Sequence, residues 1–149
     1  MPAFDPNKVH FSDFKMLKGQ VETSGNMELP ADLQFVSEYH VSIGLGTANK
    51  LIRVDLGVEI KAQSPSAPIE HVQGSFLFAF AYFVENIDDL VQNPNTETPE
   101  LDYNLSVALA GITYSTVRGI LMTRLQGTLL EKFIMPVVNP AELLGKANA

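Results

Sequence analysis

From Leu51 to Lys61 the side chains alternate almost completely: Ile52, Val54, Leu56, Val58 and Ile60 share one parity, and Arg53, Asp55, Gly57, Glu59 and Lys61 share the other. A period of two sends successive side chains to opposite faces of a pleated backbone, so this segment is a strand with one dry and one wet face. Strands of that kind belong to antiparallel sheets covered on one side, which sets aside an all-helical chain and a parallel sheet buried on both faces. The stretch before it repeats the pattern, with Leu33, Phe35, Tyr39, Val41, Ile43 and Leu45 set against Gln34, Glu38, His40 and Ser42. Only Gly46 to Lys50 separates the two, and Gly46 and Asn49 tolerate the positive φ of a short connection, so the pair reads as a hairpin.

Two further strands complete a sheet. Phe14 to Leu29 alternates more weakly, with Val21, Met27 and Leu29 apolar and Glu22 and Glu28 polar, and Ser24-Gly25-Asn26 predicts a bulge or kink in it. Beyond a turn at Pro65 to Pro68, Ile69 to Val84 is rich in the β-branched and aromatic residues that suit a long strand. Glu85 to Glu100 is acidic, holds Pro94 and Pro99, and reads as a mobile loop. Asp102 then caps a helical run to about Gln126, in which apolar residues recur at three and four: Leu105, Leu109 and Ile112, and separately Val107, Ala110, Tyr114, Val117 and Leu121. Gly127 is its stop signal, and Pro140 precedes a short last helix over Ala141 to Leu144. The fold class is therefore α+β: a four-stranded antiparallel sheet, one long and one short C-terminal helix, and one domain over 1–149 with 1–13 and 145–149 as flexible ends.

The chain holds more apolar surface than that fold needs. Asp102, Arg118 and Arg124 are the only charged residues from 102 to 126, whereas a helix lying on a sheet normally keeps one face polar. The stripe Val107, Ala110, Tyr114, Val117 and Leu121 is accordingly expected to meet another subunit. Phe76, Phe78, Phe80 and Tyr82 lie on one parity of their strand, and Leu77 and Phe83 lie on the other, so a second face also needs a cover. The apolar segment Thr128 to Val138 is the candidate cover. A groove between sheet and segment, lined by Phe76, Phe78, Phe80, Tyr82, Leu129, Leu130, Phe133 and Met135, would take extended apolar polypeptide by area burial of about 25 cal/mol per Å2.

Other chemistries find little support. Ten Lys and Arg against 17 Asp and Glu give a formal charge of −7, which is no footprint for a phosphate backbone, so nucleic acid is not an expected partner. The longest apolar run, Phe76 to Val84, is nine residues, well short of the roughly 20 of a membrane-spanning helix. With no Cys and no basic-then-apolar leader in the first residues, the expected place is the cytoplasm, without membrane insertion. His10, His40 and His71 are scattered, which argues against a metal. Gly44-x-Gly46-x-x-Asn49 lacks the third glycine of a dinucleotide loop and runs into a strand, so it reads as the hairpin turn. Ser106, Ser115 and Thr116 sit within the long helix and Asp88 and Asp89 within the acidic loop, so no cofactor and no enzyme activity are expected. An enzyme with its site at a subunit interface would lean on Arg118 or Arg124, whose commoner uses are charge pairing and helix capping.

Several motifs, spread over Phe14 to Leu144, resemble those of the bacterial protein-export chaperone family SecB. Gly127-Thr128-Leu129 followed by Pro136-Val137-Val138-Asn139-Pro140-Ala141-Glu142-Leu143 is similar to the family's Arg-Gly-Thr-Phe-Pro and Pro-Val-Asn-Phe-Asp-Ala-Leu, and Met27-Glu28-Leu29-Pro30 is similar to Phe-Glu-Ala-Pro. The resemblance implies a four-stranded sheet with a long and a short helix, assembled as a dimer of dimers through the long helices. It also implies an ATP-independent holdase that wraps unfolded preproteins in apolar grooves and passes them to a SecA-type motor. Of the acidic sheet surface on which the family docks that motor, Glu28 is matched, while Ser24 stands at the neighbouring acid. The alternative is a SecB-like chaperone dedicated to one client, such as an antitoxin of a toxin–antitoxin system.

Overall fold

The structure is a computed structural model, and it describes residues 4–23, 30–46, 49–66, 69, 72–92 and 99–147. Four long strands, β1 (Val9–Glu22), β2 (Gln34–Gly46), β3 (Leu51–Gln63) and β4 (Gln73–Val84), form one antiparallel sheet in the order β1-β4-β3-β2. Two short strands, β5 (Val91–Gln92) and β6 (Glu100–Leu101), pair with each other ahead of the long helix α1 (Tyr103–Arg124). The chain then runs without regular structure to α2 (Pro140–Ala147). The α+β class and the element order are those read from the sequence.

Alternation sets the register. Ile52, Val54, Leu56 and Val58 of β3 stand opposite Tyr82, Phe80, Phe78 and Phe76 of β4, and all eight are buried. Their neighbours on the other parity, Arg53, Asp55 and Gly57, stand opposite Ala81, Ala79 and Leu77 on the outer face. The inner face is roofed by α1, whose Thr113 Oγ1 and Tyr82 hydroxyl share a buried hydrogen bond of 2.7 Å. Asp102 caps the helix as expected, accepting from the Leu105 amide at 3.0 Å. Gly127, at φ 81°, supplies the left-handed residue just beyond the helix end.

Several boundaries differ from the sequence expectation. Residues 9–13, expected to lie in a flexible end, belong to β1 and pair with β4, starting at Val9 opposite Val84. The kink expected at Ser24 to Asn26 falls outside the described residues, while two register shifts interrupt β1 itself, between Phe11 and Asp13 and between Met16 and Lys18. Among the described residues of the β2–β3 turn the positive φ belongs to Lys50, at 55°, and its ammonium reaches the Glu85 carbonyl at 3.3 Å. The acidic loop carries structure of its own, a 3-10 turn at Ile87–Asp89 and the β5–β6 pair. α2 extends to Ala147, beyond the expected Leu144.

Candidate functional site

The β4 aromatics do not line an open groove. Phe76, Phe78, Phe80 and Tyr82 are all buried, because β4 is an interior strand and its inner parity lies under α1. The segment after α1 covers this same inner face, where it completes the roof: Leu130, Phe133 and Met135 are buried too. Gly74 makes room for it, since a Cβ there would come within 2.9 Å of Leu130 Cδ1 and 3.0 Å of Phe76 Cε2. Leu77 and Phe83 remain half-buried on the outer face. Of the eight expected groove residues, Leu129 lines an open cleft beside Phe35, and Phe80, its ring buried, borders another on the outer sheet face, while the others turn inward.

Open apolar surface lies at the edges of the sheet. At one end of β2, Leu33 and Phe35 face Leu129 across a cleft of about 490 Å3, closed behind by the edge-to-face contact of Phe35 and Phe133 at 5.7 Å. At its other end, Val41, Ile43 and Leu45 face Leu101, Tyr103 and Leu144 across a cleft of about 710 Å3, with Glu100 in its wall. On β1, Phe11 and Phe14 stay exposed on the helix side of the sheet, their rings 5.6 and 5.2 Å from that of buried Phe80. Sequence reasoning missed Phe35, Ile43, Tyr103, Phe11 and Phe14. For all but Tyr103, which opens α1, the signal was a large apolar residue on a strand that the sheet order leaves at an edge, and that order cannot be read from a strand's own alternation.

Charge is distributed unevenly. On the outer sheet face acids and bases interleave: Asp13 and Lys15 lie on β1, and Arg53 and Asp55 on β3 are joined at 2.7 Å. Glu59 and Glu22 are engaged by Ser75 and Gln73 respectively, each at 2.7 Å. Glu28, the residue matched to the motor-docking surface, lies outside the described residues. The acidic concentration is elsewhere, with six carboxylates between Glu85 and Asp102 and no Lys or Arg from Ala62 to Val117. Among the described residues no three His, Cys, Asp or Glu are grouped to hold a metal ion.

The stripe expected to meet a second subunit also turns inward. Ala110, Tyr114, Val117 and Leu121 are buried within the chain, and Val107 is half-buried. Apart from Ile112, the two stripes merge into one wide inner face because α2 and the segment before it cover the part that the sheet does not. The Tyr114 hydroxyl donates to the Pro136 carbonyl, and a Cβ on Gly111 would lie 3.1 Å from Pro140 Cγ. The outward face consists of Ala108, Ile112, Ser115, Gly119 and Met122, with Ile112 and Met122 43% and 46% exposed. Beside it, Ala108, Ile112, Val137 and Val138 line a cleft of about 510 Å3.

The tyrosines beneath this roof give the fold an alkaline limit. Burial raises the Tyr114 phenol, and the neighbouring Tyr39 adds to it; burial raises Tyr39 and Tyr82 as well. A phenol whose folded pKa lies above its unfolded value of about 10 costs no stability below that pH, and stability falls as pH climbs past it. Tyr114→Phe is expected to lose about 1 kcal/mol at neutral pH through the missing hydrogen bond and to decline less steeply than the parent above pH 10. Denaturant titrations at pH 7 and at pH 10.5 to 11.5 check this, and parallel declines would refute it.

No family model and no curated protein matches this chain. Among solved structures, the chain is similar to the Mycobacterium tuberculosis SecB-like chaperone Rv1957, solved in complex with a ChAD peptide from the Rv1956 HigA1 antitoxin. The match has a TM-score of 0.62 at 14% identity and covers 89% of this chain and 91% of that one. The two share a fold, and the SecB-like architecture implied by the sequence motifs is the one observed.

Proposed function

We propose that this chain is an ATP-independent holdase that binds unfolded polypeptide through apolar clefts. The observation that carries the reading is the pair of clefts at the two ends of β2, each with large apolar side chains in its wall beside polar ones. Such walls gain affinity by removing apolar surface from water, which needs no cofactor and little side-chain specificity in the client. Glu100 in the wall of the larger cleft favours clients that carry Lys or Arg next to apolar residues, because opposite charge speeds encounter. In this reading the protein works in the cytoplasm, as an assembly of copies joined through the outward face of α1, and serves protein export through a SecA-type motor.

The test is suppression of aggregation, without ATP, of several unrelated reduced and unfolded polypeptides at near-stoichiometric ratio. Suppression across clients supports the general holdase. A folded protein that suppresses none of them overturns it. The antitoxin peptide held by the structural neighbour favours a second reading, a chaperone dedicated to one client. Tight capture of a single partner alongside failure with the panel would select that reading.

A further inference from the structure

From Ala62 to Thr123 the chain carries a single Lys or Arg, and that residue, Arg118, is unpaired. It is half-buried on α1, and among the described residues no carboxylate forms an ion pair with it and no hydrogen bond engages its guanidinium. A partly desolvated cation without a counter-charge is costly, and a long side chain normally avoids that cost by carrying its head out to water. Arg118 instead lines the cleft of about 510 Å3 between α1 and the segment before α2, and no carboxylate lines that cleft with it.

The rest of the cleft is apolar, and its polar groups are mostly engaged. Gly111 lets Pro140 pack directly against α1, and Val137 and Val138 form the wall that follows from that approach. Val137, at 82%, is the most exposed large apolar side chain among the described residues, and Ile112 across the cleft is exposed as well. The Tyr114 hydroxyl is held by the Pro136 carbonyl, and the Thr116 hydroxyl donates to the Ile112 carbonyl at 2.7 Å. Ser115, one turn before Arg118 on the same side of the helix, has no hydrogen-bond partner for its hydroxyl among the described residues. An unpaired guanidinium, a free hydroxyl and two uncovered apolar side chains therefore meet in one concave place.

We infer that this cleft is a binding site for a small carboxylic acid with an apolar body. The planar guanidinium presents two parallel N–H groups to the two oxygens of a carboxylate, and the Ser115 hydroxyl donates to a remaining lone pair. The body of the ligand covers Ile112 and Val137, and the volume is that of an ordinary small-molecule site. A monoanion fits better than a phosphate, because one cation lines the cleft and a chain of net charge −7 repels multiply charged anions more strongly. The site borders the outward face of α1 and shares Ala108, Ile112 and Ser115 with it, but it does not depend on the polypeptide-binding reading above.

The experiment titrates 4-phenylbutyrate, its neutral amide and acetate into the full-length protein by isothermal calorimetry. The acid is expected to bind once per chain and about tenfold more tightly than the amide, and acetate to give no heat. Arg118→Gln is expected to fold like the parent, since Arg118 has no partner to lose, and to bring the acid down to the affinity of the amide. Val137→Ser should weaken acid and amide alike. Equal affinity for acid and amide in the parent, or a gap that survives Arg118→Gln, overturns the inference. Acetate binding as tightly as the acid reduces the cleft to a bare anion site and overturns it too. Methyl NMR locates the ligand: shifts at Ile112 and Val137 support the cleft, and shifts confined to Leu33, Leu129 or Ile43 put the acid in the β2 clefts and overturn it. Absence of binding by the acid overturns it whatever the aggregation test shows.

Discussion

Phe78→Asp is expected to leave no folded protein, and Phe78→Ala to lower the free energy of unfolding by about 3–5 kcal/mol. The Phe78 ring is fully buried, stands between Leu56 on β3 and Met16 on β1, and stacks on Phe76 and Phe14 at 6.2 and 6.1 Å. Truncation removes the apolar transfer energy and leaves a cavity that the flanking strands cannot close, because both are hydrogen-bonded to β4 at this position. An Asp adds an unpaired charge in the same place. Set against a typical domain stability of about 5–15 kcal/mol, the Ala variant is marginal and the Asp variant lies below threshold. Phe11→Ser, at a position 54% exposed on the sheet edge, is the control and should cost about 1 kcal/mol or less. Denaturant midpoints followed by circular dichroism decide the matter: a Phe78→Ala variant within 1 kcal/mol of the parent would mean that the β4 aromatics are not the core.

That contrast shows where the sequence was legible. The hairpin of β2 and β3 could be read because one face of each strand is wet, and α1 could be read because Asp102 and Gly127 mark its two ends. Whether Phe78 is core or groove could not be read, because it depends on what lies beside β4. The non-local order β1-β4-β3-β2 encloses β4 between two strands, and nothing in the alternation of Gln73–Val84 encodes those neighbours. The same order leaves β2 at an edge, which is why Phe35 and Ile43, ordinary inward residues by pattern, wall the clefts. The stripes of α1 were misassigned for a related reason. Ala110, Tyr114 and Val117 are covered by an irregular segment and a short helix that arrive later in the chain, and a helical wheel contains neither.

For the assembly of copies proposed above, the corrected geometry leaves the other face of α1 as the interface, and Ile112→Glu with Met122→Glu is expected to give folded monomers. Both side chains are nearly half exposed, and Ala108, Ser115 and Gly119 lie on the same face, with open space where a Cβ on Gly119 would sit. Val137, 82% exposed, extends the apolar surface sideways. A helix facing water normally carries charge on that side, yet from Tyr103 to Thr123 the one charged residue is Arg118. Small residues allow two such helices to approach closely about a two-fold axis, the commonest symmetry of homo-oligomers. Two glutamates per copy would then face each other across that axis, whereas in a monomer they would simply be solvated. Light scattering on the eluting protein gives the mass, and a parent that is already monomeric or a variant that keeps its mass would rule this interface out. Neither residue lines the β2 clefts, so the monomeric variant should still capture peptide, and loss of capture together with mass would mean that the clefts are completed only by a neighbouring copy.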